Sequence, residues 1–174
     1  MPPPGSTSFT TTSKGGLLGV LANRCAVSQA FNPGDAGSLP QPVEFDAIWD
    51  TGATGSVITQ NVVDACGLKP ITMVKVHSVH GEELAEVYLV NIYLPNHVAF
   101  SSMHVTKGKL PGSACILIGM DIISQGDFTV TNHGGITKFS YRHPSQKHID
   151  FFEQHQALLK QFGPHGQQHG KKKK

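Results

Sequence analysis

The stretch 45-FDAIWDTGATGSVIT-59 governs how the rest of this chain is read. Val43, Phe45, Ala47 and Trp49 alternate with Glu44, Asp46, Ile48 and Asp50. Period-two alternation of this kind predicts a half-buried strand. The strand ends on a carboxylate, Asp50, and the chain continues as Thr51-Gly52-Ala53-Thr54-Gly55 into a second apolar run, 56-SVIT-59. An isolated charge is costly to bury unless it is paired or hydrogen-bonded. Asp50 is therefore either an ordinary turn residue or a carboxylate placed for chemistry. Gly52 lets other groups approach the backbone closely, and Thr51 carries a hydroxyl that can bond across a symmetric interface. Taken alone, D-T-G is a weak signal, because Asp and Gly are common in turns.

Outward from this stretch the chain reads mainly as β-structure. Before it, 23-NRCAVSQAF-31 is predicted as a strand, followed by the turn-rich 32-NPGDAGSLPQP-42. After it, Thr59 is placed to cap a short helix, 60-QNVVDACGL-68, with Gly67 near its end. The runs 71-ITMVKVHSV-79 and 82-EELAEVYLVNIYLP-95 predict two long strands with a hairpin tip at Val79-His80-Gly81. A further strand is expected over 97-HVAFSSMHV-105. The continuous apolar run 115-CILIG-119 predicts a strand buried on both faces, with a short helix, 120-MDIISQG-126, after it. Strands 127-DFTVTN-132 and 136-ITKFSY-141 follow, separated by His133-Gly134-Gly135. Finally, 145-SQKHIDFFEQHQALLKQF-162 is an amphipathic helix with Ile149, Phe152, Leu159 and Phe162 on one side, stopped by Gly163-Pro164. There is no internal repeat.

A chain of 174 residues accommodates one domain plus tails. The expected division is a flexible tail over 1–16, a domain over 17–142, a helix packed on it over 143–162, and a second flexible tail over 163–174. The formal charge of +2 comes from four terminal lysines that outweigh an otherwise net acidic chain. No basic face stands out, so nucleic-acid binding has no support. Cys25, Cys66 and Cys115 are widely spaced and form no CxxC, which reads as reduced thiols. No secretory apolar region and no membrane-length segment is present in the sequence, so a soluble, cytoplasmic setting is expected.

Other chemistries are poorly served. The ten histidines include His77 and His80 near the hairpin tip, His143, His148 and His155 towards the last helix, and His165 and His169 in the tail. None makes a HExxH or a Cys/His zinc spacing, so scattered surface histidines and no metal are expected. Ser56 and Ser113 lie near glycines but outside any G-x-S-x-G. Cys115 begins a buried strand and reads as an inert thiol.

A second signal joins the first at Leu117-Ile118-Gly119, two aliphatics and a glycine leading into a short helix. DTGA with apolar flanks, then strands and a glycine-tipped hairpin, then 115-CILIGMDII-123, resemble the single-domain retroviral-type aspartic proteases, the retropepsins, over residues 23 to 132. The resemblance implies a mainly β, closed acid-protease-like barrel with short helices. The C-terminal amphipathic helix is an addition to that core. It implies that Asp50 is the catalytic carboxylate in an active-site loop with Thr51, Gly52 and Ala53. Thr51 would reach across a dimer, and Gly52 would admit the substrate backbone. Leu117, Ile118 and Gly119 would support the loop. His80 and Gly81 match the tip of the family's flap by position. Trp49 replaces the family's usual aliphatic residue, and Thr54 and Gly55 replace acidic residues that some viral members use to hold substrate. These departures bear on specificity.

Aspartic protease chemistry uses two carboxylates sharing one proton. Asp46, Asp64, Asp121 and Asp127 lack a following Thr/Ser-Gly, so this sequence carries one D-T-G. The resemblance therefore implies a C2 homodimer in which each chain contributes Asp50. The substrate would be an extended peptide, and no cofactor is required. The alternative on the same fold is a catalytically inactive dimerisation or peptide-binding module.

Overall fold

The structure, a computed structural model, describes residues 5–31, 39–78 and 81–162. Its strands are β1 (Thr7–Thr12), β2 (Leu21–Gln29), β3 (Val43–Trp49), β4 (Val57–Ile58), β5 (Thr72–Ser78), β6 (Gly81–Tyr93), β7 (Ala99–Lys107), β8 (Ile116–Ile118), β9 (Asp127–Thr131) and β10 (Lys138–His143). Among the described residues, α1 (Gln60–Ala65), α2 (Met120–Ile123) and a 3-10 turn (His133–Gly135) interrupt them, and α3 (Phe151–Phe162) follows the last strand. The mainly β expectation holds, with strand ends shifted by a residue or two.

Seven strands form one sheet in the order β2-β3-β8-β4-β7-β6-β5, and β2 also pairs with β6. That pairing closes six of the strands into a ring, the barrel-like body expected from the sequence. The seventh, β5, pairs with β6 along Thr72–Ser78 and stands out as a hairpin arm. Ser78 is paired with Gly81 at the end of the arm, and Gly81 has φ 114°. Residues 79 and 80, and so the expected tip residue His80, lie outside the described residues.

The core fills the ring with side chains from alternate strand positions. Val27, Ala47, Ile58, Val90, Ile92, Val105, Ile116 and Ile118 are fully buried. Each large aliphatic withdrawn from water in this way contributes roughly 1.5–3 kcal/mol. Val62 and Val63 of α1 and Ile122 and Ile123 of α2 plug the same core. Thr59 occupies the N-cap position of α1, yet its side chain makes no capping bond, and its Oγ1 is buried without a partner.

Two expectations need correction. Residues 1–16 are not simply a tail, because β1 pairs antiparallel with β10, which in turn pairs with β9, in a separate three-stranded sheet. Phe9 anchors β1 by its inner face, and the surrounding threonines are β-branched residues suited to a pleated strand. The C-terminal helix starts later than expected, at Phe151 and not near Ser145, and of its apolar stripe Phe152 is exposed while Leu159 is half-buried. Asp150 accepts the Glu153 N–H (2.9 Å), which sets the start of α3. Phe151 and Phe152 are 70% and 71% exposed. The preceding segment is held instead by Asp127, which accepts from Ser145 Oγ (2.6 Å) and the Gln146 N–H (3.0 Å).

Candidate active site

Strand pairing alone places Asp50. β3 runs parallel to β8, with Ala47, Ile48 and Trp49 opposite Ile116, Leu117 and Ile118. β4 pairs with the other side of β8, Val57 opposite Leu117 and Ile58 opposite Ile116. β8 thus lies between the two strands that flank D-T-G, and the turn 50–56 must arch over its end. The Asp50 N–H continues the ladder to the Ile118 carbonyl (3.0 Å). Beyond that bond the Asp50 side chain leaves the sheet. Its Oδ1 accepts the Gly52 N–H (2.8 Å), and its carbonyl accepts the Ala53 N–H (3.3 Å). A Cβ on Gly52 would stand 3.1 Å from Asp50 Oδ1, so glycine keeps this small turn open. Asp50, Thr51 and Gly52 are exposed, while Ala53 is half-buried.

The far half of the turn is stitched to α2. The Met120 N–H donates to the Ala53 carbonyl (2.8 Å) and the Asp121 N–H to the Thr54 carbonyl (3.1 Å). Gly119 sits so close beneath Gly55 that an added Cβ would meet its carbonyl carbon and oxygen at 2.6 Å. Asp121 then clamps Ser56 twice. Oδ2 accepts the Ser56 N–H (2.9 Å) and Oδ1 accepts the Ser56 hydroxyl (2.8 Å). Ser56, buried at 1% exposure, uses its Oγ to accept the Gly119 N–H (3.1 Å).

An aromatic floor lies under the start of the turn. Trp49 stacks on Phe128 at 5.4 Å and 6°, and meets Phe9, Phe139 and Tyr141 at 5.7, 6.1 and 5.3 Å. Its Nε1–H donates to Asn23 Oδ1 (3.0 Å). The indole that departs from the family's usual aliphatic residue is thus matched by rings from β1, β9 and β10. Such aromatic pairs add about 0.5–1.5 kcal/mol each beyond area burial.

The structure brings Asp50, Thr51, Gly52 and Ala53 together with Leu117, Ile118 and Gly119. Gly81 lies at the end of the hairpin arm. Among the described residues, no group of three or more His, Cys, Asp or Glu is placed to hold a metal ion. Burial pushes the Cys25 thiol up to about 12, which makes it a poor nucleophile. Ser56 is committed to Asp121, and Ser113 Oγ donates to Asp46 (3.3 Å). An open cleft of about 350 Å³ borders β3, lined among others by Asn23, Arg24, Asp46, Ile48, Pro111 and Ser113. In the sequence Asp121 has no Thr-Gly after it, and Ser56 offers only a hydroxyl near glycines. The signal that singled out Asp50, a carboxylate inside an apolar run, is also present at Asp121 in 115-CILIGMDII-123.

The aspartyl protease family model matches residues 36–122, half of the 174-residue chain. The chain belongs to the aspartyl protease family. No curated protein sequence matches it. Among solved structures it is similar to a retropepsin-like aspartic protease from Rickettsia conorii, at 12% identity and a TM-score of 0.48, over 79% of this chain and 95% of that one. It is also similar to the EIAV protease in complex with the inhibitor HBY-793, at 15% identity and a TM-score of 0.42, over 60% of this chain and 86% of that one. A third is the retroviral protease-like domain of Ddi1 from Leishmania major, at 16% identity and a TM-score of 0.40, over 65% and 82%. Among the described residues no helix is long and apolar enough to cross a membrane.

Proposed function

We propose that the chain is an aspartic endopeptidase that works as a homodimer, with Asp50 of each copy forming the catalytic pair. The observation that carries this reading is the placement of Asp50. It is exposed at the end of a half-buried strand, in a glycine turn braced from below, in a chain whose sequence has no second D-T-G. Two carboxylates about 3 Å apart cannot both ionise, so the pair would hold one proton. The ionised member takes a proton from a water as it attacks the scissile carbonyl. The protonated member donates to the carbonyl oxygen, and the tetrahedral species collapses with proton transfer to the leaving amine. The titration belongs to the pair and not to either copy.

The neighbouring residues have roles that fit this chemistry. Thr51, exposed beside Asp50, is available to bond across the two-fold axis. Gly52 leaves room for a substrate backbone. The β5–β6 hairpin, with Gly81 at its end, would close over an extended peptide. The cleft beside Ile48 offers space for a substrate side chain.

Incubation with a mixed peptide library between pH 4 and 7, beside an Asp50→Asn variant, tests the proposal. Cleavage by the wild type falling at least a thousandfold in the variant is expected. Peptide binding without cleavage, equal in both proteins, would instead identify a non-catalytic module.

A further inference from the structure

We infer that Asp121 and Ser56 are positioning residues for the Asp50 carboxylate, acting through the turn 50–56; their catalytic consequence rests on the reading above. The turn has two halves with different supports. Its first half is fixed by the sheet, through the Asp50 N–H to the Ile118 carbonyl. Its second half follows no ladder before Ser56, whose carbonyl accepts the Thr106 N–H of β7 (3.3 Å) just ahead of β4. Between these points the backbone is held within the turn by the Ala53 N–H on the Asp50 carbonyl, and from outside it by the Met120 and Asp121 N–H groups and the Asp121 carboxylate.

The Asp121 carboxylate receives donors only: the Ser56 N–H, the Ser56 hydroxyl and the Ile122 N–H, the last at 3.0 Å. An ionised carboxylate accepts all three, and hydrogen bonds to a charged acceptor are about twice as strong as neutral ones. Ser56 passes the restraint on, since its Oγ accepts the Gly119 N–H at the end of β8. The chain of bonds therefore runs from α2 through Asp121 and Ser56 to the strand whose last carbonyl holds the Asp50 N–H. Both ends of the turn are tied to the same short strand. A displacement of about 1 Å at a reacting group can cost on the order of a hundredfold in rate.

Asparagine at 121 is nearly isosteric but carries an amide NH2 in place of one oxygen. Whichever way it is turned, one donor then faces a donor. Asp121→Asn consequently weakens the brace without emptying the site. The companion variant is Ser56→Ala, which removes the hydroxyl and leaves the Gly119 N–H unpaired.

The test has two readouts on the full chain. Hydrogen exchange of the amides in residues 52–56 should quicken about tenfold or more in Asp121→Asn, while amides of β6 and β7 stay unchanged. In peptide cleavage, kcat should fall roughly ten- to a hundredfold with KM within about twofold. The control is Val105→Ala, a core change on β7 chosen for an equal or larger loss of Tm, and it should retain kcat. Loop exchange equal to wild type in both Asp121→Asn and Ser56→Ala overturns the brace whether or not the protein cleaves peptides. A kcat loss no greater than that of Val105→Ala overturns its catalytic role. Wild-type protein that cleaves nothing would sink the protease reading instead, and loop exchange would still decide the brace.

Discussion

The turn 50–56 and the β5–β6 hairpin both project from the same sheet, yet they are held in opposite ways. The turn is tied down by side chains and backbone of β8 and α2 and rests on an aromatic floor. The hairpin is held chiefly by its own ladder. Met73 and Leu84 on it are 56% and 66% exposed, and its Lys75–Glu82 pair spans 3.6 Å with both ends largely in water. Such a pair contributes at most about 1 kcal/mol. The contrast separates two mechanical roles within one sheet. On the function proposed above, the braced turn would hold a carboxylate in place and the exposed arm would move over a substrate.

Removing the floor should give the largest effect. Trp49→Ala empties a site ringed by Phe9, Phe128, Phe139 and Tyr141, and should destabilise the protein by about 3–5 kcal/mol. Denaturant unfolding measures this. A loss below 1 kcal/mol would show that the floor does not support the turn.

An intermediate effect is expected at Asp127, on the rim of the same region. Partial burial opposes its charge, but Ser145, Arg142 and the Gln146 N–H outweigh it and lower the carboxyl from 3.8 to about 2. A depressed carboxylate pKa means stability that is present above the unfolded value and lost as pH falls through the folded one. Asp127→Asn should therefore cost on the order of 1 kcal/mol at pH 7, after allowance for solvent screening. The gap from wild type should close as pH drops from 4 towards 2. Thermal unfolding across that range measures it, and a gap independent of pH would contradict the assignment.

The smallest effect on stability belongs to the arm. Leu84→Ala should change stability by less than about 0.5 kcal/mol, because its side chain is already largely in water. If the hairpin covers substrate, KM for peptides should nonetheless rise. A large stability loss would place Leu84 in a contact absent from the single chain and so redraw the comparison.

What the sequence made legible follows the same division. β3, β8 and the arm were readable because period-two alternation and a short apolar run encode which face is buried. β1 was not, since Thr7–Thr12 carries a single large apolar residue, Phe9, and its partner strand lies about 130 positions away. The start of α3, at Phe151, was not legible either, because the polar run before it carries no strong stop signal. Around the turn, D-T-G and Leu117-Ile118-Gly119 stand out in the sequence as two short motifs that together resemble the retropepsins. The Ser56–Asp121 clamp was missed because it joins residues 65 positions apart that share no motif.

The central claim, one active site built from two copies, is tested most directly by mixing. Wild type and Asp50→Asn chains are co-refolded in equal amounts at fixed total concentration, and peptide cleavage is measured. Random pairing of a symmetric dimer leaves about a quarter of the chains' pairs with two intact carboxylates. Retention of about a quarter of the wild-type activity is the predicted result. Retention of about half would mean that each chain acts alone, and would contradict the account.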